Sequence, residues 1–431
     1  MVKYLHRMLQ KLLEAKIMQQ QWKKTFALIF SGQLFSILTT SMVQFSIIWH
    51  LTKTTESAVV LMIAGLAGFL PQVILGPFIG VWLDRWNRKK TMIAADGTIA
   101  LFSLALGLYY YLGDPSLVFV YVILLIRSTA SAFHAPSFQA AIPLIAPEDQ
   151  LTRVAGWQQL INSFSMIAGP VLGIAVYSAT SLGILLFLDV FGALIANIML
   201  LFTKIRQPKA DSPSTTPSFF SELKFGWNAF IQVKPIVLLT IGTGIFGIAI
   251  MPLPTLFPLM TLTHFGRGGY SASIVDGLFG IGMIVGSFLL SMLGSRLKDI
   301  SYICLSMLGI GLTCVAIGVI GQGLFIFFVI LSTIMGMMSP FFNGPYAAML
   351  QRSFEPEILG RVISLVTSVT LLSAPIGLSL AGVIVSNFGV QAWFFWSGII
   401  TLSSGIFLYV QFKRMQVNFK VTTTGADGHT Y

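Results

Sequence analysis

Charge is scarce in this sequence. Of 431 residues, only 10% are Asp, Glu, Lys or Arg, against 55% hydrophobic. A water-soluble domain carries roughly 25% charged residues, so this chain cannot cover a water-facing surface of ordinary size. That excludes a soluble enzyme, a nucleic-acid-binding domain and a disordered protein. Cysteine is almost missing. Cys304 and Cys314 share one apolar segment, which excludes a disulfide framework and leaves packing as their role. No Cys/His group has metal-ligand spacing. No Gly-x-x-x-x-Gly-Lys-Ser/Thr stretch is there to cradle ATP. His-x-x-x-His, His-Glu-x-x-His and paired carboxylates within one span are also missing, which excludes a membrane enzyme. Neither a metal nor any other cofactor is expected. The N-terminal segment lacks the apolar core and small-residue cleavage site of a signal peptide.

What is abundant is long apolar runs. A helix needs about 20 apolar residues to cross a bilayer. Twelve such runs are expected, at 26–50, 57–82, 91–112, 117–138, 157–179, 181–203, 235–262, 273–294, 300–320, 324–347, 362–385 and 392–412. The expected fold is an all-α membrane protein of twelve transmembrane helices in two pseudo-symmetric six-helix bundles. The longest gap, 204–234, carries Pro208, Pro213 and Pro217 among Ser and Thr, and reads as a linker. The expected domains are therefore 1–25, 26–203, 204–234, 235–412 and 413–431. Pro252, Pro254 and Pro258 should break the outer half of the seventh span.

The net charge of +11 takes its meaning from where the charges lie. With an even number of spans, the two termini share one side, and that side holds 23 of the 26 Lys and Arg residues. The opposite loops hold only Lys53 and Arg267, and Arg127 lies inside a span. The positive-inside rule makes this basic side the cytoplasm. The basic balance is thus a topology signal with some attraction to anionic membrane lipid, and no nucleic-acid partner is expected. In the first 22 residues, Leu5, Met8, Leu9, Leu12, Leu13 and Ile17 fall on one helical face, and the basic residues fall mostly on the other. This amphipathic segment is expected to lie on the cytoplasmic leaflet.

One six-helix unit is written twice. Ala135-Pro136, Pro147-Glu148 and Arg153-Val154 are matched by Gly344-Pro345, Pro356-Glu357 and Arg361-Val362, at offsets of 208 to 209 residues. Gly169-Pro170 faces Ala374-Pro375 at an offset of 205. A parallel repeat of this kind places a pocket between halves that opens to each side in turn. A single-pore channel or a receptor does not need it.

The loop after the second span reads Gly80-Val81-Trp82-Leu83-Asp84-Arg85-Trp86-Asn87-Arg88-Lys89-Lys90. It resembles the signature loop of the major facilitator superfamily, Gly-x-Leu-Ala-Asp-Arg-x-Gly-Arg-Lys-x, and departs from it at Trp82 and Asn87. The resemblance implies a gating latch. Gly80 allows close helix approach, Asp84 is held at a helix N-terminus of the other half, and Arg85, Arg88 and Lys89 pair with it or with lipid. Asp96 is close enough in sequence to extend that network. Arg127 matches the superfamily's Arg in the fourth span, with Ser131 where Gly usually follows. Gly169, Pro170 and Gly173 resemble the superfamily's antiporter motif, without its upstream glycines. The chain is similar in particular to Mef-type macrolide efflux proteins, through Ile126-Arg127-Ser128, Ala132-Phe133-His134, Asp189-Val190, Leu256-Phe257-Pro258-Leu259 and Leu359-Gly360-Arg361-Val362.

With no ATP motif, an ion gradient is left as the driving force. A membrane carboxyl near a movable cation suits proton carriage. The candidates are Asp189, the deepest acid, Asp96 and Asp276; Arg127 is the cation. His50, His134 and His264 are expected as solvated or capping residues at helix ends. In the superfamily, spans one, four, seven and ten line the cavity, which implies Gln33, Gln44, Met251 and Asn343 alongside Arg127. The expected activity is export of small amphipathic compounds, macrolides first, by proton antiport. Export of a siderophore or a lysolipid is the alternative. A monomer is expected, and a partner ATPase subunit is left open.

Overall fold

The computed structural model describes residues 2–147, 150–203, 227–293, 296–354 and 362–415, apart from 364, 368 and 369. Side chains are described from Trp22 onward, leaving out a few positions that include Gly80, Asp84 and Arg85. The described chain is helical, with thirteen α-helices that have defined bounds, and no strand occurs among these residues. They are α1 Val2–Thr55, α2 Ala58–Arg85, α3 Arg88–Leu112, α4 Leu117–Ile145, α5 Leu151–Ala179, α6 Leu182–Leu201, α7 Lys234–Ile250, α8 Leu253–Leu259, α9 Gly269–Leu293, α10 Asp299–Val319, α11 Phe325–Ser353, α12 Ser373–Phe388 and α13 Val390–Met415. Eleven segments among the described residues are long and apolar enough to cross a membrane, and Ser373–Phe388 is a shorter apolar helix. The run expected at 362–385 falls on that shorter helix and the partly described residues before it.

Helix ends follow local chemistry. Asn87 caps α3 by accepting from the Lys90 amide at 3.0 Å. Ser116 and Ser181 do the same for α4 and α6 at 3.3 Å. The expected break in the seventh span is there: α7 stops at Ile250, Pro252 caps α8, and a π-helical turn follows over Met260–His264. The amphipathic N-terminal segment and the first span are one uninterrupted helix, α1. The side chains that defined its two faces lie outside the described residues, as do the linker up to 226 and the second copy's Pro356-Glu357 and Arg361.

The Cα framework groups into two compact units: Met1–Ile47 with Ile74–Ser212, and Ile48–Val73 with Pro213–Tyr431. In the first, α3 packs on α4 and on α6. In the second, α10 packs on α11 and α13, and α9 packs on α11. Glycines set the closest approaches. A Cβ on Gly169 would collide with Ser41, and one on Gly173 would come within 2.7 Å of the Met42 carbonyl. The Gly-Pro stretch of α5 therefore lies directly against α1, and Ser41 Oγ donates to the Ser165 carbonyl across that contact at 2.9 Å. Exteriors are apolar, with Leu101, Tyr111, Leu112, Phe191 and Ile326 exposed, as lipid-facing surfaces are.

Candidate functional site

The first unit buries an ion pair. Arg127 on α4 is 6% exposed and Asp189 on α6 is 1% exposed, and Arg127 Nη1 donates to Asp189 Oδ2 at 2.6 Å. Two further helices complete the site. Ser103 on α3 donates to Oδ2 at 2.8 Å. On α1, Thr40 donates to Oδ1 at 2.9 Å, and Thr39 reaches the same oxygen at 3.4 Å while also bonding back to the Phe35 carbonyl at 3.0 Å. A carboxylate offers about four acceptor positions, and here side chains from α1, α3 and α4 fill them. Every donor suits the ionised carboxyl. A protonated carboxyl would give up the charge pairing with Arg127.

The architecture explains why these groups can meet. Gly192, one turn from Asp189, lies so close to Thr39 that a Cβ would collide with its hydroxyl, so α1 and α6 approach closely enough for threonine to reach the carboxylate. One turn further from the termini the same four helices carry Val43, Leu106, Leu124 and Leu186, all buried. Burial makes the pair expensive to break, because one partner left alone costs about 3–5 kcal/mol.

Asp96 does not pair with Arg88 among the described residues. It is buried on α3, and its Oδ1 lies 3.3 Å from His134 Nε2 on α4. That is an ion-pair distance without hydrogen-bond alignment. His134 lies inside α4 rather than at its end. Lys89 Nζ donates to the Leu201 and Thr203 carbonyls at 3.1 and 2.7 Å, capping the end of α6. Arg88 is half-buried. The side chains of Gly80, Asp84 and Arg85 lie outside the described residues. Asp276 on α9 is half-buried, and no partner for it occurs among the described residues. Gln33 is fully buried, Met251 is half-buried, and Gln44 and Asn343 are exposed. His264 bonds to the Ile320 carbonyl at 3.0 Å and so ties two segments of the second unit.

A groove of about 650 Å³ lies against α3 and α4, lined by Trp86, Lys90, Ala95, Thr98, Thr129 and Phe133 among others. Trp82, Trp86 and Phe133 form a stack of near-parallel rings along it, with centroids 5.8–6.0 Å apart.

The sequence pointed to Arg127 and Asp189 separately, and it missed Thr39, Thr40, Ser103 and the His134–Asp96 contact. The signal available was depth. Thr40 and Ser103 fall at the level of Asp189 once the spans are aligned.

Comparison with known proteins bears on the whole chain. The Major Facilitator Superfamily profile matches residues 29–298 and 239–425. Macrolide efflux protein A of Streptococcus pyogenes is 37% identical over 386 residues, covering 89% of this chain and 95% of that protein. Its namesake from Enterococcus faecalis is 38% identical over 323 residues, covering 75% and 99%. In fold, the chain superposes on the crystal structure of the nucleoside transporter NupG with a TM-score of 0.74, covering 90% of this chain and 99% of that one at 12% identity. This chain belongs to the major facilitator superfamily and is a multi-pass membrane transporter, not an enzyme.

Proposed function

We propose that this transporter exports amphipathic compounds, macrolides foremost, from the cytoplasm, exchanging them for protons by alternating access. The observation that carries the substrate is the 37% identity to macrolide efflux protein A over 89% of the chain. Support for proton coupling comes from the buried Arg127–Asp189 pair. A carboxyl enclosed with a cation inside a span is a costly arrangement in lipid, and it becomes useful if a proton arriving at Asp189 releases Arg127. The concentration of Lys and Arg on one side puts both termini in the cytoplasm. The working halves are 26–203 and 235–412, joined by 204–234, with Gln44, Met251 and Asn343 as candidate substrate contacts. A siderophore exporter is the weaker reading, because an anionic substrate calls for several cavity cations and the spans supply only Arg127.

The test is accumulation of macrolides, cationic dyes and siderophores in a pump-deficient bacterial host, with and without the protein. A protonophore serves as control. Macrolide accumulation should fall on expression and recover with the protonophore. Lower macrolide levels that survive the protonophore would refute proton coupling, and unchanged macrolide with reduced siderophore would replace the substrate.

The same assay tests the latch. Asp84→Asn should leave expression and insertion near wild type and remove most of the efflux, because an acid in an otherwise basic loop is not required for topology. Normal efflux from a well-expressed Asp84→Asn protein would remove Asp84 from the gate.

A further inference from the structure

Two turns of helix separate the ion pair from a second polar layer, and the same four helices supply both. Moving seven residues toward the termini side takes Thr40 to Gln33 on α1, Ser103 to Asp96 on α3, and Arg127 to His134 on α4. A step of eight takes Asp189 to Asn197 on α6. Seven residues are two turns to within about 20°, so Gln33, Asp96 and His134 share the helix faces that converge on the Asp189 carboxylate, about 10 Å away. The 3.3 Å approach of His134 to Asp96 and the Asn197 Nδ2 bond to the Ile93 carbonyl at 3.4 Å show two of these helix pairs meeting at this level.

This layer is under-bonded. Among the described residues, nine buried side-chain polar atoms lack an aligned hydrogen bond, and five of them are here: both amide atoms of Gln33, Asp96 Oδ2, His134 Nε2 and Asn197 Oδ1. An unpaired buried polar atom is destabilising. A cluster of them drawn from four helices points to a purpose other than stability. At the turn between the two layers the four helices carry Ser36, Ala100, Ala130 and Ala193, all buried, with Ile99 packed against Ala130. Beyond the second layer, one turn further, Phe30, Met92, Phe138 and Leu200 form an apolar cluster that closes the bundle. The order along the bundle is a buried aliphatic turn, the ion pair, a mostly small-residue turn, the under-bonded polar layer and an apolar cluster.

We infer that the Asp96–His134 pair, with Gln33 and Asn197, is a second proton-binding site in series with Asp189. An internal water needs two to four polar partners, and the unpaired atoms of the second layer, with Ser36 one turn away, offer them. His134 is a side chain whose ordinary titration falls near neutral pH, and His50, at the far end of α1, is the other histidine inside these apolar spans. The proton is exchanged with Asp96 or the internal water and forms no covalent intermediate. Other charged groups near the site are few. Arg127 and Asp189 stand two turns to one side, and Arg88, Lys89 and Lys90 stand at the start of α3 on the other. The helical residues of α1 from 25 to 49 and of α2 from 58 to 83 carry no charged residue, and α5 carries only Arg153 and Tyr177 near its ends. The use of this site in export rests on the proposed function; the binding of a proton there does not.

The test uses the full-length protein in lipid nanodiscs with nitrogen-15-labelled histidine. The His134 resonance is assigned by its loss in His134→Gln. It should titrate between pH 5 and 9, and Asp96→Asn should change its proton affinity by about tenfold or more, one pH unit. Gln33→Leu should also shift that titration, because it dries the layer; a merely structural role predicts only a more stable protein with His134 unaffected. In proteoliposomes with an imposed pH gradient, Asp96→Asn and His134→Gln should slow macrolide movement at least tenfold with equilibrium binding retained. A His134 signal that does not titrate, or one indifferent to both Asp96→Asn and Gln33→Leu, overturns the inference. So do variants that transport at the wild-type rate. Failure of the wild type to move macrolide under a pH gradient would instead overturn the export reading, and the titration would still decide the proton site.

Discussion

Asp189→Asn should reduce macrolide movement driven by a pH gradient to the level of vesicles without protein, while substrate still binds at equilibrium. Asparagine is the same size as aspartate and keeps a carbonyl oxygen, so it can still accept from Thr40 or Ser103. It removes the titrating proton and leaves the Arg127 guanidinium without its counter-charge. Binding of substrate should persist because Asp189 is only 1% exposed and its donors fill its acceptor positions. The measurement is macrolide movement in proteoliposomes with an imposed pH gradient, paired with equilibrium binding to the detergent-solubilised protein. Asp276→Asn is the comparison, since Asp276 lacks a partner among the described residues and is half-buried on α9. It should do less. If Asp189→Asn pumps normally and Asp276→Asn does not, the proton enters through the second unit and the ion pair is structural.

Much of the fold was legible because long apolar runs have one stable form in lipid, the helix that satisfies its own backbone. The break after Ile250 was legible for the same reason in reverse, since Pro252 and Pro254 remove donors from the ladder. The site was less so. A charged residue inside a span announces itself, so Arg127 and Asp189 stood out. A span that is apolar all round has no polar face to show which way a residue points, so the pairing of the two was hidden. Thr40 and Ser103 were hidden for a different reason. Most hydroxyls in these helices bond to the carbonyl one turn back, as Thr52 does to Ile48 and Thr129 does to Leu125, and the sequence does not mark the exceptions. His134 was assigned to a helix end because the fourth apolar run was expected to stop at 138, two residues past Pro136. α4 continues through that proline to Ile145, since helices in a packed membrane bundle tolerate proline.

Arg127→Ala should both abolish coupled export and lower the thermal stability of the protein. The alanine leaves a carboxylate that is buried, hydrogen-bonded to three hydroxyls and deprived of the one charged partner it has among the described residues. Breaking a buried pair from one side costs about 3–5 kcal/mol, a large part of the stability of a typical domain. Arg127→Lys retains the charge. The contact rests on a single nitrogen at 2.6 Å, so an ammonium should recover most of the stability. It should recover only part of the transport, because lysine is shorter, more strongly hydrated and lacks the fixed planar fork with which guanidinium re-forms a pair after each release. The double variant Arg127→Ala/Asp189→Asn should melt closer to wild type than Arg127→Ala does, because the unpaired charge is gone, and yet should not pump. This cycle separates the two roles, with stability following charge balance and export following the presence of the titrating pair. Melting is read by fluorescence-detected size exclusion after heating, and export in the same proteoliposomes as for Asp189→Asn. An Arg127→Ala protein with wild-type melting and wild-type export would mean that the buried pair does neither job.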